Sequence, residues 1–375
     1  MIQIERVILH HVHMPLKNPF TNSLTTVTDK DLYIIELVDQ DGIRGYGETV
    51  AFDSPWYTEE TTETTRVIME QHLIPALQSA SIVHPNDLVT LFQHVRRHQM
   101  AKAAIETAVW DLYAKRQRKP LYEVIGGVRS QIPVGATIGM QATDQHLLEK
   151  MQSALNQGYQ RIKLKVSPQH DLHTLELVRQ HYPDLPLMVD ANSAYRVENI
   201  DHLKKFDEYQ LMMIEQPFAP HDFVDHAKLQ EKLKTPICLD ESIHTLADAK
   251  TAIALHSCQV MSIKLGKVGG FTHAIQIHDY CAAHHIPVWC GGMLEAGVGR
   301  LQSLALATLE NFRFPADPGA SSRYWHQDII DPEVTVENGH VQLSKMPGIG
   351  REINWDVLEQ YRIQQIVHQK STRLR

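Results

Sequence analysis

From Ile132 the chain settles into a repeat: a short apolar segment, a turn, an amphipathic stretch, then another apolar segment about 25 residues further on. That is the length of one βα unit in a closed barrel. Strands are expected at Ile132–Thr137, Arg161–Val166, Leu187–Asp190, Leu211–Glu215, Pro236–Asp240, Val260–Lys264 and Ile286–Cys290, with an eighth, weaker one near Phe312–Pro315. The stretches between them carry helix signals. Thr143 or Asp144 can cap a helix running to Asn156, Gly158 can stop it, and Thr245 can cap Leu246–Leu255. Apolar strands in short regular units predict an α/β fold, a (β/α)7β TIM-type barrel, over a doubly wound sheet. No G-x-G-x-x-G follows an early strand, which weakens a dinucleotide-binding reading.

The residues before the repeat follow another pattern. Ile2–His13 and Asp31–Val38 alternate as strands do, Asp41-Gly42 is a hairpin signal, and Ile43–Glu48 returns. Helical patterns follow near Thr58–Leu77, Pro85–His98 and Met100–Gln117, and Gly126-Gly127 closes the segment. Strands followed by helices suggest an α+β unit. After Asp331 a hairpin is expected (Val334–Val336, Asn338-Gly339, Val341–Leu343), then a helix near Trp355–Gln364. The expected organisation is a capping domain of residues 1–127, with the tail 331–375 packing back on it, and a barrel of residues 128–330 carrying the active site.

Composition excludes several classes. The 375 residues exceed one ordinary core, and 43% hydrophobic with 21% charged residues is ordinary soluble composition. No apolar run is long enough to span a membrane, and the N-terminus has no apolar leader, so a cytoplasmic protein is expected. A formal charge of −8 without a basic cluster argues against nucleic acid. Cys238, Cys258, Cys281 and Cys290 form no C-x-x-C pair and read as reduced, buried thiols. No assembly seam is legible, so monomer and homo-oligomer both stay open.

The chemistry lies at the strand ends. Lys165, Asp190, Glu215 and Asp240 follow one another at intervals of 25 residues, and Lys264 comes 24 later. In a βα barrel every strand opens its C-terminal end on one face, so these residues become neighbours around a ring. Three adjacent carboxylates repel one another unless a cation sits between them. Hard oxygen ligands without His or Cys point to Mg²⁺ or Mn²⁺. Lys163 and Lys165 alternate onto the same, inward side of their strand. A metal on a substrate carboxylate would stabilise the dianion left when the α-proton departs, and a lysine lowered in pKa by neighbouring cations would take that proton. The expected partner is therefore a small-molecule carboxylate. Two flanking lysines allow proton exchange on opposite faces, or one base with a second cation.

These residues resemble the muconate-lactonizing-enzyme subgroup of the enolase superfamily across nearly the whole chain. The resemblance rests on Lys163-Leu164-Lys165, Val189-Asp190-Ala191-Asn192, Ile214-Glu215-Gln216-Pro217, Leu239-Asp240-Glu241-Ser242, Lys264, and the helix Lys102–Leu112. Gly291–Arg300 and Pro55–Thr61 further resemble the branch holding o-succinylbenzoate synthases and N-acylamino-acid racemases. The resemblance implies metal-dependent dehydration of a cyclohexadiene carboxylate to 2-succinylbenzoate, a menaquinone step, with racemisation of N-acylamino acids as the alternative. It implies Lys165 as base, Lys264 as the opposing cation, Asp190, Glu215 and Asp240 as metal ligands, Lys163 on the substrate carboxylate, and Glu241 and Asn192 as nearby supports. Lys267 stands where the racemases often carry Arg, which keeps a charge but loses the planar fork and weakens the racemase reading. Pro19–Thr25 differs from the branch's usual lid, and Ala296 stands where Thr is common.

Phe20 and Tyr57 are candidate apolar walls from the lid loops. Thr137 can reach substrate from the end of strand one, and Met293 can line the pocket after strand seven. No His-Asp dyad sits at strands six and seven, which disfavours a histidine base.

Overall fold

The computed structural model describes residues 1–370; the last residues of the expected tail, 371–375, lie outside the described residues. The chain opens with a long antiparallel arm, β1 (Ile4–Thr21) and β2 (Thr26–Asp39), followed by β3 (Arg44–Glu48). The expected turn at Asp41-Gly42 is there, with Gly42 in the left-handed region. A fourth strand, Arg362–Gln369, comes from the other end of the chain and pairs antiparallel with β1. Helix α1 (Gln99–Arg116) lies against β3. The approach is close: a Cβ on Gly47 would stand 2.1 Å from the Ala104 carbonyl. Small residues on both sides, Gly45 and Gly47 against Ala104 and Ala108, make the packing possible.

Three expected helices are shortened or bent. The first begins at Thr62, where Thr61 forms a capping box with Thr64, and it passes through a wide π turn at Met69–Leu73 before Ile74–Ser79. The pattern over Pro85–His98 yields only Asp87–Leu91. The helix beginning at Trp355 ends at Tyr361, because the next residues join the edge of the first sheet.

The barrel follows. Its strands are β4 (Ala136–Ile138), β5 (Ile162–Lys165), β6 (Leu187–Asp190), β7 (Ile214–Glu215), β8 (Ile237–Leu239), β9 (Val260–Ile263) and β10 (Val288–Cys290), each paired in parallel with its sequence neighbours. The helices include α2 (Asp144–Asn156), α3 (Leu172–His181), α4 (Phe223–Lys232), α5 (Leu246–Ala254), α6 (Phe271–Ala283) and α7 (Gly297–Leu306). Thr143 and Thr245 cap α2 and α5 as expected. The eighth position is an irregular segment that bridges Val288 to Phe312 and Val134 to Ala316, closing the ring.

Two expectations change. Strand one splits: Gln131–Pro133 pairs antiparallel with His340–Gln342 outside the barrel, and only Ala136–Ile138 enters the ring. Pro133 has no N–H for a barrel ladder, which suits it to that edge. The tail hairpin keeps its Asn338-Gly339 turn, both residues at positive φ, but its second arm is the strand paired with Gln131–Pro133.

Two buried carboxylates from the first unit reach barrel helices. Glu48 accepts from the Ala296 and Gly299 amides at the start of α7, both at 2.7 Å. Glu106 on α1 accepts from Phe271 and Thr272 at the start of α6, at 2.9 and 2.8 Å. Each supplies acceptors to helix-end N–H groups that have no intrahelical partner. No described helix is long and apolar enough to cross a membrane.

Candidate active site

Alternation along β5 turns Lys163 and Lys165 to one side, as the sequence predicts. Lys163 Nζ lies 3.2 Å from Glu215 and 3.5 Å from Asp190. Lys165 Nζ donates to Asp190 at 2.6 Å and to Asn192 Oδ1 at 2.7 Å. Asn192 sits at positive φ, and its side-chain amide donates to Glu241 at 2.8 Å. Across the ring, Lys264 Nζ lies 2.8 Å from both Asp240 and the Tyr57 hydroxyl. Gly291 leaves room for it: a Cβ there would meet Lys264 Cε at 2.7 Å. Lys165 ends the second strand and Lys264 follows the sixth in a ring of eight positions, hence opposite each other.

The electrostatics follow from crowding. Burial alone would raise Asp190 and Asp240, but ammonium groups outweigh it and hold both low: Lys165 and Lys163 for Asp190, Lys264 and Lys267 for Asp240. Glu215 has less relief. Burial, with Asp190 and Asp240 beside it, pushes it well above the carboxylate range. Burial, then Asp240 and Asp190, raise Glu241 to about 7.

Burial pushes Lys264 down, but Asp240, Glu241 and Glu215 outweigh burial and raise it, which suits the opposing cation. Lys163 behaves alike, lifted by Asp317, Glu215 and Asp190 against burial. Each lysine faces more carboxylates than lysines.

The oxygens of Asp190, Glu215 and Asp240 do not close into a metal cage among the described residues; lysine ammonium groups are interleaved with them. The donor set nevertheless fits a hard divalent cation. Glu215 Oε1 and Glu241 Oε2 are buried without any hydrogen-bond partner. Such orphaned acceptors are costly in a dry site unless a cation or donor reaches them.

Above this cluster lies a cavity with about 610 Å³ of empty space, counting the solvent at its mouth. Lys163, Lys165 and Lys264 line it, along with Asn192, Thr137, Met293, Phe20 and Tyr57. The ring of Phe20 stands 5.9 Å from Lys165 Nζ. Tyr57 is more than an apolar wall, because its hydroxyl donates to Asp240 at 2.9 Å while accepting from Lys264.

Three polar residues of the site, Asp317, Gln216 and Lys30, were given no role from the sequence, and a fourth, Lys267, was weighed only for its charge. Asp317, beyond the eighth strand, lies 3.2 Å from Lys163 and accepts from the Thr137 hydroxyl. Continuing the 25-residue count past Cys290 would have pointed to its neighbourhood. Gln216 accepts from the Asp240 and Ser242 amides at 3.0 and 3.2 Å and so shapes the turn that presents Asp240. Lys267, read as a loop residue, is buried against Asp240 at 2.8 Å. Lys30 on β2 is fully buried, donates to the Val50 and Met293 carbonyls at 2.7 and 3.0 Å, and is lowered to about 7 by burial.

Comparison with known proteins agrees with this geometry. Residues 4–126 match the mandelate racemase / muconate lactonizing enzyme N-terminal domain, and residues 146–357 match the enolase C-terminal domain-like family. The chain is 51% identical to an o-succinylbenzoate synthase of Geobacillus kaustophilus, over 96% of each chain. It is 38% identical to an N-succinylamino acid racemase of Thermus thermophilus, over 96% of this chain and 97% of the relative. A solved enolase-superfamily member from Listeria innocua superposes with a TM-score of 0.96 at 42% identity, covering 99% of this chain and 100% of that one. Dependence on a divalent metal is general in the superfamily. With a barrel of this type, an N-terminal capping domain, and full-length likeness at these identities, the chain belongs to the enolase superfamily, in its mandelate racemase / muconate lactonizing enzyme family.

Proposed function

We propose that the chain is an o-succinylbenzoate synthase, a carbon–oxygen lyase that dehydrates 2-succinyl-6-hydroxy-2,4-cyclohexadiene-1-carboxylate to 2-succinylbenzoate on the way to menaquinone. The observation that carries this reading is the pair Lys165 and Lys264, on opposite strands and facing one cavity. The choice of reaction rests on the greater likeness to the synthases than to the racemases.

Lys165 removes the proton from the carbon that bears the ring carboxylate. The C–H electrons pass into the carboxylate as an enolate. The C–O bond to the hydroxyl then breaks, Lys165 returns its proton to the departing oxygen, water leaves and the ring becomes aromatic. Lys264 stands on the other face as a fixed cation against the enolate. Lys163, held by three carboxylates, helps neutralise the substrate carboxylate. Asp190, Glu215 and Asp240 would hold Mg²⁺ or Mn²⁺, which supplies Lewis-acid stabilisation of the dianion. Asn192 and Glu241 orient Lys165 and the ligand turn. Phe20, Tyr57, Thr137 and Met293 shape the pocket and limit water. In this division of labour residues 1–127 and the tail form the cap, residues 128–330 the catalytic barrel, and the enzyme works in the cytoplasm.

A second reading shares the same atoms. Two lysines on opposite faces can exchange the α-proton of an N-succinylamino acid, giving racemisation. Steady-state assays with Mg²⁺ on both substrate types test the choice. Dehydration orders of magnitude faster than racemisation is expected; efficient racemisation without dehydration would overturn the synthase reading.

A further inference from the structure

Beside the active cavity runs a wider, solvent-open cleft of about 1240 Å³. The two share Phe20, Thr137 and Tyr324 in their walls, so they adjoin. The cleft is lined by Lys17, Lys150 and Arg323, and no aspartate or glutamate lines it among the described residues. Arg323 is held in place. Its Nη2 donates to the Thr137 carbonyl at 2.7 Å, and its guanidinium stands 5.1 Å from the Tyr159 ring centroid and 5.8 Å from that of Tyr324. Asp317, the carboxylate whose charge reaches it, is engaged by Lys163, Arg161 and Thr137. Tyr159, beside Arg323, adds a second sign. It lines the cleft and is 2% exposed, and its hydroxyl proton has no acceptor among the described residues, the guanidinium of Arg323 being only a donor towards it. A buried hydroxyl left unpaired is costly, so this donor is best explained by a ligand acceptor.

We propose that this cleft is the subsite for the substrate's second, non-reacting carboxylate, gripped by Arg323 and the Tyr159 hydroxyl, with Lys17 and Lys150 drawing dianions towards the mouth. The inference rests on the reading of the active site given above. The names of both kinds of relative carry a succinyl group, and a succinyl group ends in a carboxylate. That second charge has to lie away from Asp190, Glu215 and Asp240, and the cleft is a cationic space adjoining the active cavity. A planar guanidinium and a phenol donor suit a carboxylate.

The test is direct binding by calorimetry to Mg²⁺-supplied protein, comparing 2-succinylbenzoate with 2-butanoylbenzoate, in which a methyl replaces the distal carboxylate. Wild type is expected to prefer the dicarboxylate by about 10-fold or more, the usual scale for a charged hydrogen bond. Arg323→Gln should erase most of that preference. Tyr159→Phe, which removes only the hydroxyl and keeps the packing, should reduce it several-fold even if Arg323→Gln fails to fold. Equal weakening of both compounds would mean that these residues act only on the fold, and would overturn the inference. So would an unchanged preference in Tyr159→Phe. A wild type that binds both compounds equally overturns the inference alone; one that binds neither overturns the active-site reading as well.

Discussion

Asp317 Oδ2 lies 3.2 Å from Lys163 Nζ, and this contact ties the residue beyond the eighth strand to the second strand. The same carboxylate accepts from Thr137 on the first strand. Removing one partner of a buried pair costs roughly 3–5 kcal/mol, less where other carboxylates still face the survivor, as Glu215 and Asp190 do here. Asp317→Asn should therefore lower the melting temperature by several degrees and kcat/KM by about 10-fold or more. Wild-type values in both would mean that the contact is idle.

The lysine roles separate by substitution. Lys165→Ala and Lys264→Ala should each lower kcat by about 10²–10⁴-fold, the scale of a lost general acid/base, with the circular dichroism spectrum retained. Lys264→Arg is more discriminating. If Lys264 serves dehydration only as a cation, this variant keeps part of that activity while losing racemisation, read by solvent-deuterium exchange at the α-carbon. Equal loss of both activities would instead make Lys264 a proton carrier in each.

A divalent cation that fills the carboxylate cluster binds the folded state alone. At a hundred times its Kd it should stabilise the fold by about 2.7 kcal/mol, visible as a rise in melting temperature with Mg²⁺ and its reversal by chelator. Glu215→Gln should abolish the rise. A rise that persists in this variant would place the cation elsewhere.

His226 sets an acid limit. Its Nε2 accepts from the Phe218 amide at 3.1 Å, so the ring proton sits on Nδ1, against the Asp222 carbonyl. Burial lowers the His226 pKa from its ordinary 6.5, although Asp222 and Asp225 pull it upward. As pH falls through 6.5 the unfolded chain takes up a proton that the folded chain resists, so stability present above that pH is lost as the solution acidifies. His226→Gln, which can still accept from Phe218, should show a flatter melting temperature between pH 7.5 and pH 5.5, taken here as roughly a one-unit bracket on the ordinary value. Identical slopes would show that other groups set the limit.

What could be read from the sequence is what the repeat controls. Asp190, Glu215, Asp240 and the two outer lysines share a register at the strand ends, so spacing alone brings them together. Asp317 lies in the same count, but its strand pairs too irregularly to announce itself. Gln216, Lys30 and Lys267 carry no periodic mark. They matter because of what their polar ends meet once buried: two amides, two carbonyls and Asp240. Tyr57 showed its ring in the sequence but not its hydroxyl bond, which depends on how the segment after Pro55 packs against Asp240.

Glu48 and Glu106 carry a consequence for modularity. The barrel looks like a transplantable unit, yet two of its helices begin on acceptors that belong to the cap. A barrel excised from this chain would expose those amides and lose the partners that terminate α6 and α7, so it lacks autonomy even where its strands are intact. Chimeras between relatives should respect this dependence. A foreign lid can be grafted to change the substrate only if carboxylates equivalent to Glu48 and Glu106 travel with it, which makes the seam between cap and barrel a shared inheritance of both parts.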